Sequence, residues 1–295
     1  MSEKVLVIGA SGLLGSKLCS VCAAKGYIVY GTYRSHNLRG KNYIALDVTQ
    51  RVDVFRLIAK VRPDVIFDTH SITSVDYCEL HPEEAWSVNV DGTKNLAEAA
   101  KTYGVKFVFL SSDYVFDGSK SEYTEKDKPK PINYYGKTKA VAEKTIEYLD
   151  LDYIIARTAV LYGVGGLGKK PFVLWVLENL KAKKSINVVV DQFNNPTLAD
   201  DLAEALVKLW EKDAKGLYHT VGRDNVSRYE FALETAEVFG LDKKLVKPIT
   251  TPELRQVAPR PRKLQLSTHK LERFLGRKLL GIKEGLKIVK TQLEG

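Results

Sequence analysis

Val5-Leu6-Val7-Ile8 is an unbroken apolar run, set between the charged Lys4 and Gly9. Such a run suits a strand buried on both faces of a parallel sheet. Further strand-like runs follow at Tyr27 to Thr32, Ile44-Ala45-Leu46, Val65-Ile66-Phe67-Asp68, Phe107-Val108-Phe109-Leu110 and Tyr153 to Ala156. Between them the apolar spacing becomes helical: after Gly15 as far as Lys25-Gly26, from about Asp53 to Val61, in a long stretch from about Pro82 to Tyr103, and from Tyr135 onward. Strands and helices that alternate in this way predict a doubly wound parallel sheet with right-handed crossovers. Thr69 to Asp76 and residues 113 to 134 read as loops.

Beyond Gly163 the rhythm loosens. A glycine-rich loop, Gly163 to Gly168, precedes a helix from about Pro171 to Lys181. Then come a strand at Ile186 to Val190, a helix from Asp200 to Trp210, a strand at Leu217 to Val221, a helix from Ser227 to Phe239 and a helical tail. The division expected is a first domain over residues 1–162 and a smaller, interleaved α/β lobe over 163–295, with about 186–225 partly returning to the first. A cleft is expected between them.

The turn after the first strand reads Gly9-Ala10-Ser11-Gly12-Leu13-Leu14-Gly15. Strand, glycine turn and helix in that order form the setting of a dinucleotide fingerprint in a Rossmann-type fold. Gly9 allows the tight turn, Gly12 lets backbone N–H groups approach a pyrophosphate at the helix start, and Gly15 permits close helix packing. The spacing is G-x-x-G-x-x-G. The second strand leads into Tyr33-Arg34-Ser35, where a carboxylate would usually meet the ribose 2′-hydroxyl of NAD. Arg34 reads either as the partner of a 2′-phosphate, which favours NADP(H) over NAD(H), or as an exposed loop arginine. Asp47, followed by Val48, stands where a carboxylate can meet the adenine amino group.

Tyr135 and Lys139 lie four residues apart at a helix start and so share one helix face. A phenol near pH ~10 is a proton donor at neutral pH, and its acidity rises if a cation stands beside the developing phenolate. The same spacing also describes a packed Tyr beside a solvated Lys. The glycine turn, Arg34 and Ser111-Ser112 at the carboxyl end of a buried strand together decide for a nucleotide-dependent oxidoreductase. His70, also at a strand's carboxyl end, reads as a ligand-side residue or as a hydrogen-bonded structural histidine.

The chain has 295 residues and a formal charge of +9. That charge suits an anionic partner. The basic residues are dispersed and no nucleic-acid-binding signature occurs, so the small anion of a nucleotide is expected rather than nucleic acid. Three cysteines without a disulfide-dense pattern read as intracellular, and Cys19-x-x-Cys22 inside a helix reads as packing rather than as a metal site. No metal is expected. Met1-Ser2-Glu3-Lys4 leads straight into a strand and no apolar run reaches ~20 residues, which argues for a cytoplasmic protein with neither leader nor membrane span. Many lysines and a single Met fit a heat-adapted source.

Five stretches carry a resemblance: Gly9-x-x-Gly12-x-x-Gly15, Ser111 to Gly118, Tyr135 to Lys139, Arg157-Thr158 to Tyr162-Gly163, and Asp191-Gln192 to Pro196-Thr197. Together they resemble the extended short-chain dehydrogenase/reductases, and within them the dTDP-4-dehydrorhamnose reductases, nearly end to end. The resemblance implies Ser112, Tyr135 and Lys139 as catalytic residues. It implies Gly9, Ser11, Gly12, Leu13, Leu14, Gly15, Arg34, Asp47, Val48, Tyr135 and Lys139 at the cofactor. Val75, Asp113 and Arg260 would lie at a dTDP-sugar, with Arg262 a second candidate for its pyrophosphate, and a homodimer would be expected. Two departures fall near the implied substrate: Asp68-Thr69-His70-Ser71 stands where these reductases usually read Asn-Ala-Ala-Ala, and Val160 where they usually carry Trp. The chain is also similar to the non-catalytic regulatory β subunit of methionine adenosyltransferase, which would make the adenosyltransferase catalytic subunit a partner. A sugar-nucleotide 4-epimerase of the same superfamily is a further alternative.

Overall fold

The computed structural model describes residues 2–168 and 170–295; Met1, the first residue of the lead-in to the opening strand, lies outside them. Strand β1 (Lys4–Ile8) alternates its side chains between two apolar layers. Val5 and Val7 pack with Leu14 and Leu18 of α1 (Leu13–Ala24). Leu6 and Ile8 pack in the opposite layer. This double burial is why the run carries no polar alternation.

The chain continues through β2 (Ile28–Tyr33), β3 (Tyr43–Ala45), α2 (Arg51–Val61) and β4 (Val65–Asp68). After β4 the sequence reading departs from the structure. A short helix α3 (Val75–Leu80) begins where a loop through Asp76 was expected. The single helix expected from Pro82 to Tyr103 is α4 (Pro82–Trp86), a π-helical turn at Ser87–Gly92 and α5 (Thr93–Tyr103). The apolar spacing runs through the π turn unbroken, so periodicity does not reveal it. Its purpose is legible in Asn89, whose amide donates to Thr138 Oγ1 at 3.1 Å and accepts from the N–H of Ile72 at 2.8 Å.

Then come β5 (Lys106–Ser112), α6 (Tyr134–Tyr148), β6 (Tyr153–Thr158), β7 (Leu161–Tyr162), α7 (Phe172–Lys181), β8 (Ile186–Val189), β9 (Phe193–Asn194), β10 (Thr197–Leu198), α8 (Ala199–Glu211) and β11 (Gly216–His219). The seven strands of the main sheet stand in the order β11-β6-β5-β4-β1-β2-β3, and all are parallel. Helices α1 and α8 cover one face through Leu18, Leu202 and Trp210; α2, α5 and α6 cover the other through Leu57, Leu96 and Ile146. The chain is thus a doubly wound α/β fold of Rossmann type.

The remaining elements are β12 (Val226–Ser227), α9 (Arg228–Val238), β13 (Val246–Ile249), α10 (Thr251–Leu254), α11 (His269–Leu275) and α12 (Ile282–Glu294). Strand β8 pairs in parallel with β13, a strand the apolar pattern did not mark, and α7 and α9 pack beside them through Leu180 and Ala236. No helix among the described residues is long and apolar enough to cross a membrane.

Candidate active site

β1 neighbours β2 on one side and β4 on the other. The order reverses there, and ligands of such sheets bind at the carboxyl ends beside that point. Gly9, with φ of 82°, turns the chain out of β1. The N–H of Gly12 donates back to the Gly9 carbonyl at 2.9 Å, and α1 starts at once. A Cβ on Gly15 would lie 2.2 Å from the Gly9 oxygen, so only glycine lets the helix approach the turn this closely. No side chain caps α1 and its first turn holds no acid. Its N-terminal N–H groups are left without a side-chain cap, the arrangement that a pyrophosphate cradle needs. Across it lies the Gly163–Gly168 loop, whose Leu167 N–H donates to the Ser11 carbonyl at 2.7 Å.

Arg34 follows β2 with its side chain 57 % exposed and only a loose approach, 3.9 Å, to Glu84. It is available to an anion. Burial pushes the Asp47 carboxyl up, but hydrogen bonds from the Thr49 hydroxyl and N–H, with the charges of Arg34 and His70, outweigh this and leave it below its usual range. Val48 is packed in the core against Gly92, where a Cβ would come within 2.6 Å.

β5 delivers Ser111 and Ser112 on opposite faces. Ser111 Oγ donates to Glu143 behind the sheet. Ser112 Oγ donates to Asp113 Oδ1 at 3.0 Å and accepts the N–H of Tyr114 at 3.2 Å. Helix α6 is started by Asn133, whose side chain accepts the N–H of Gly136 at 2.8 Å. A Cβ on Gly136 would stand 2.0 Å from the Tyr114 oxygen. This close approach brings Tyr135 to the end of β5, where its hydroxyl faces Ser112. Lys139, 3 % exposed, holds its ammonium 4.4 Å from the centre of the Phe109 ring. The buried Ser112 and Asp113 therefore meet the half-buried Tyr135, with Lys139 one turn along.

The electrostatics correct one expectation. Burial pushes the Tyr135 phenol well up, with Asp113 adding to the effect and the Ser112 bond only partly opposing it. The phenol is thus held protonated rather than acidified, because loss of solvation exceeds any help from Lys139. Burial also lowers Lys139 to about 8, against the opposing charges of Asp68 and Glu143. Asp113 is raised to about 7 by burial, opposed by the Ser112 hydrogen bond and by Arg228.

Of the residues expected at a substrate, Val75 opens α3 and is half-buried. The Arg260 side chain is 8 % exposed, pairs with Asp76 at 2.9 Å and donates to the Ala258 carbonyl at 2.6 Å. Arg262 is exposed and takes part through its carbonyl, which accepts from Phe193 at 2.8 Å. Arg228, the first residue of α9, was not marked by the sequence reading. It faces the Tyr114 hydroxyl and feels the charges of Tyr114, Asp113 and Arg260. Its only local signature is a place after the capping Ser227, which looks like ordinary helix initiation. His70 bonds Asp68 through Nδ1 and faces the Val88 carbonyl at 3.0 Å through Nε2. The three cysteines are free and buried, with Cys19 and Cys22 in the core against α1's sheet face. Among the described residues no cluster has the makings of a metal site.

Three comparisons match this geometry. A dTDP-4-dehydrorhamnose reductase of Aggregatibacter actinomycetemcomitans is 34 % identical, over 92 % of this chain and 93 % of its own. The Bos taurus methionine adenosyltransferase 2 subunit beta is 32 % identical, over 97 % of this chain and 87 % of its own. The crystal structure of the Bacillus anthracis dTDP-4-dehydrorhamnose reductase in complex with NADP superposes with a TM-score of 0.90 at 30 % identity, covering 99 % of this chain and all of that one. Residues 3–294 match the RmlD substrate binding domain family, and the chain belongs to that family.

Proposed function

We propose that this protein is an NADPH-dependent reductase of the C4 ketone of a nucleotide-linked 4-keto-6-deoxyhexose, with dTDP-4-dehydro-L-rhamnose as its substrate. The observation that carries the reading is the half-buried Tyr135 phenol, held protonated beside Ser112 at the carboxyl end of β5, in the same sheet whose β1 leads into the uncapped start of α1. Bound NADPH supplies the hydride. The turn at Gly9, Ser11, Gly12, Leu13, Leu14 and Gly15 offers backbone N–H groups to its pyrophosphate, and the exposed guanidinium of Arg34 suits its 2′-phosphate better than a bare NAD(H) ribose. Asp47 and Val48 border the adenine side, and Lys139 holds the nicotinamide ribose.

Tyr135 donates its proton to the substrate oxygen while Ser112 hydrogen-bonds the same oxygen. General acid help of this kind is worth ~10²- to 10⁴-fold. Lys139, still cationic at neutral pH by its value of about 8, eases departure of the proton. Val75 and Asp113 lie against the sugar. Arg260, with Arg228 in place of the exposed Arg262, faces the substrate pyrophosphate, a dianion that two guanidiniums in mutual range suit.

Turnover of NADPH with enzymatically made dTDP-4-dehydro-L-rhamnose tests this directly. A dTDP-rhamnose product two mass units heavier than the substrate is expected. The similarity to methionine adenosyltransferase 2 subunit beta favours one second reading, a subunit that binds NADP(H) and docks on an adenosyltransferase. Tight NADPH binding with no turnover, together with copurification of an adenosyltransferase, would decide for it.

A further inference from the structure

Asp68 is the last residue of β4 and is 1 % exposed. Its register partner on β5 is Phe109, so the two side chains share the sheet face that α6 covers. The Lys139 ammonium lies over that same Phe109 ring. One Asp68 oxygen is taken by His70, and the other is buried without a hydrogen-bond partner among the described residues. A buried carboxylate and a buried ammonium thus share one sheet face, the ammonium over the ring of the carboxylate's register partner.

The other groups around Lys139 are accounted for. Glu143, one turn along α6, is neutralised by Arg157 of β6 through bonds of 2.9 and 2.7 Å. Cys78 of α3 is pushed up to about 11 by burial and carries no charge at neutral pH. Tyr135 is held protonated, and Asp113 acts on the phenol rather than on Lys139. Asp68, with His70 bonded to it, is the foremost carboxylate whose charge Lys139 answers, ahead of the Glu143 that Arg157 shares.

We propose that Asp68, clamped by His70, is a positioning residue whose charge keeps Lys139 an ammonium in its buried place and so sets the alkaline limit of cofactor binding. The proposal rests on the reading that Lys139 holds the cofactor ribose. Burial alone drives Lys139 toward neutrality, and Asp68 is foremost among the groups that oppose it. Losing that charge must therefore lower the pH at which the ammonium is lost.

The test is the affinity for NADPH, read from cofactor fluorescence across the neutral and alkaline range, in the wild type and in Asp68→Asn. Asparagine keeps the size and the acceptor for His70 and removes only the charge. Affinity should stay within about twofold of wild type near pH ~6, fall roughly fivefold near pH ~8 and approach tenfold by pH ~9, as expected if the ammonium is lost about one pH unit earlier. Asp68→Glu should restore the wild-type profile. In a Lys139→Met background, Asp68→Asn should change nothing at any pH. Equal weakening at all pH values, or the same weakening without Lys139, would overturn the proposal. Failure of the sugar reading would appear as absent turnover and leave this binding profile intact, so the two outcomes are separable.

Discussion

Glu143 and Arg157 offer the sharpest quantitative prediction, because both side chains are 3 % exposed and meet through two hydrogen bonds behind the reaction centre. Ser111 Oγ adds a third bond to the carboxylate, and the guanidinium lies 4.9 Å from the centre of the Phe116 ring. Replacing Glu143 by Met strands a buried cation, which should cost about 3–5 kcal/mol. For a chain of this length that corresponds to a fall in Tm of roughly 6–10 °C. Replacing both residues by Met removes the stranded charge as well. The double variant should therefore recover most of the loss and end within about 2 kcal/mol of wild type. Urea unfolding of wild type, both single variants and the double variant gives the four corners of the cycle. A single variant costing less than about 1 kcal/mol, or costs that simply add in the double, would refute the reasoning. Glu143→Met should also depress kcat, because the same carboxylate ties the strand end carrying Ser112 to the helix carrying Lys139.

Three other outcomes are expected. Arg34→Ser should weaken NADPH binding about tenfold or more and leave NADH binding within about twofold, since only the former carries the 2′-phosphate; calorimetric titration with both cofactors checks it. Arg228→Met and Arg260→Met should each raise the KM for the sugar nucleotide about tenfold with kcat within about threefold, as expected where binding to ground and transition states is lost equally; an unchanged KM removes that arginine from the site. Burial, with the nearby Arg157, lowers His219 from 6.5 to about 3, so the folded chain leaves it neutral where the unfolded chain protonates it. Stability should accordingly fall as pH drops through that window, by up to about 1.4 kcal/mol per pH unit, and His219→Leu should flatten the acid limb of a Tm-against-pH curve.

Much of this architecture was legible in the chain, for reasons that differ by element. β1 and the other inner strands announce themselves because both faces are covered, and Gly9, Gly12 and Gly15 because backbone must approach backbone there. Tyr135 and Lys139 follow from helical spacing, and Ser112 from its place at a strand end. What escaped depends on contacts between distant residues. The π turn at Ser87–Gly92 preserves the apolar rhythm of the helices around it, and the bonds of Asn89 to Thr138 and Ile72 reveal its use. β13 is exposed at Lys247 and Pro248, so nothing in its own pattern told of its pairing with β8. Arg228 is 115 residues from Asp113 along the chain, 228 minus 113, and looked like an ordinary helix start. The direction of the Tyr135 shift was missed because spacing places Lys139 nearby but says nothing of the burial that outweighs it.

The most direct test of the central claim follows the label from NADPH deuterated at both C4 positions into dTDP-4-dehydro-L-rhamnose. The account predicts one deuterium at C4 of the sugar, one NADPH consumed per product, and loss of about 10²-fold or more of the rate in Tyr135→Phe. Product without deuterium, sugar inverted with no net consumption of NADPH, or a Tyr135→Phe variant as fast as wild type would contradict it.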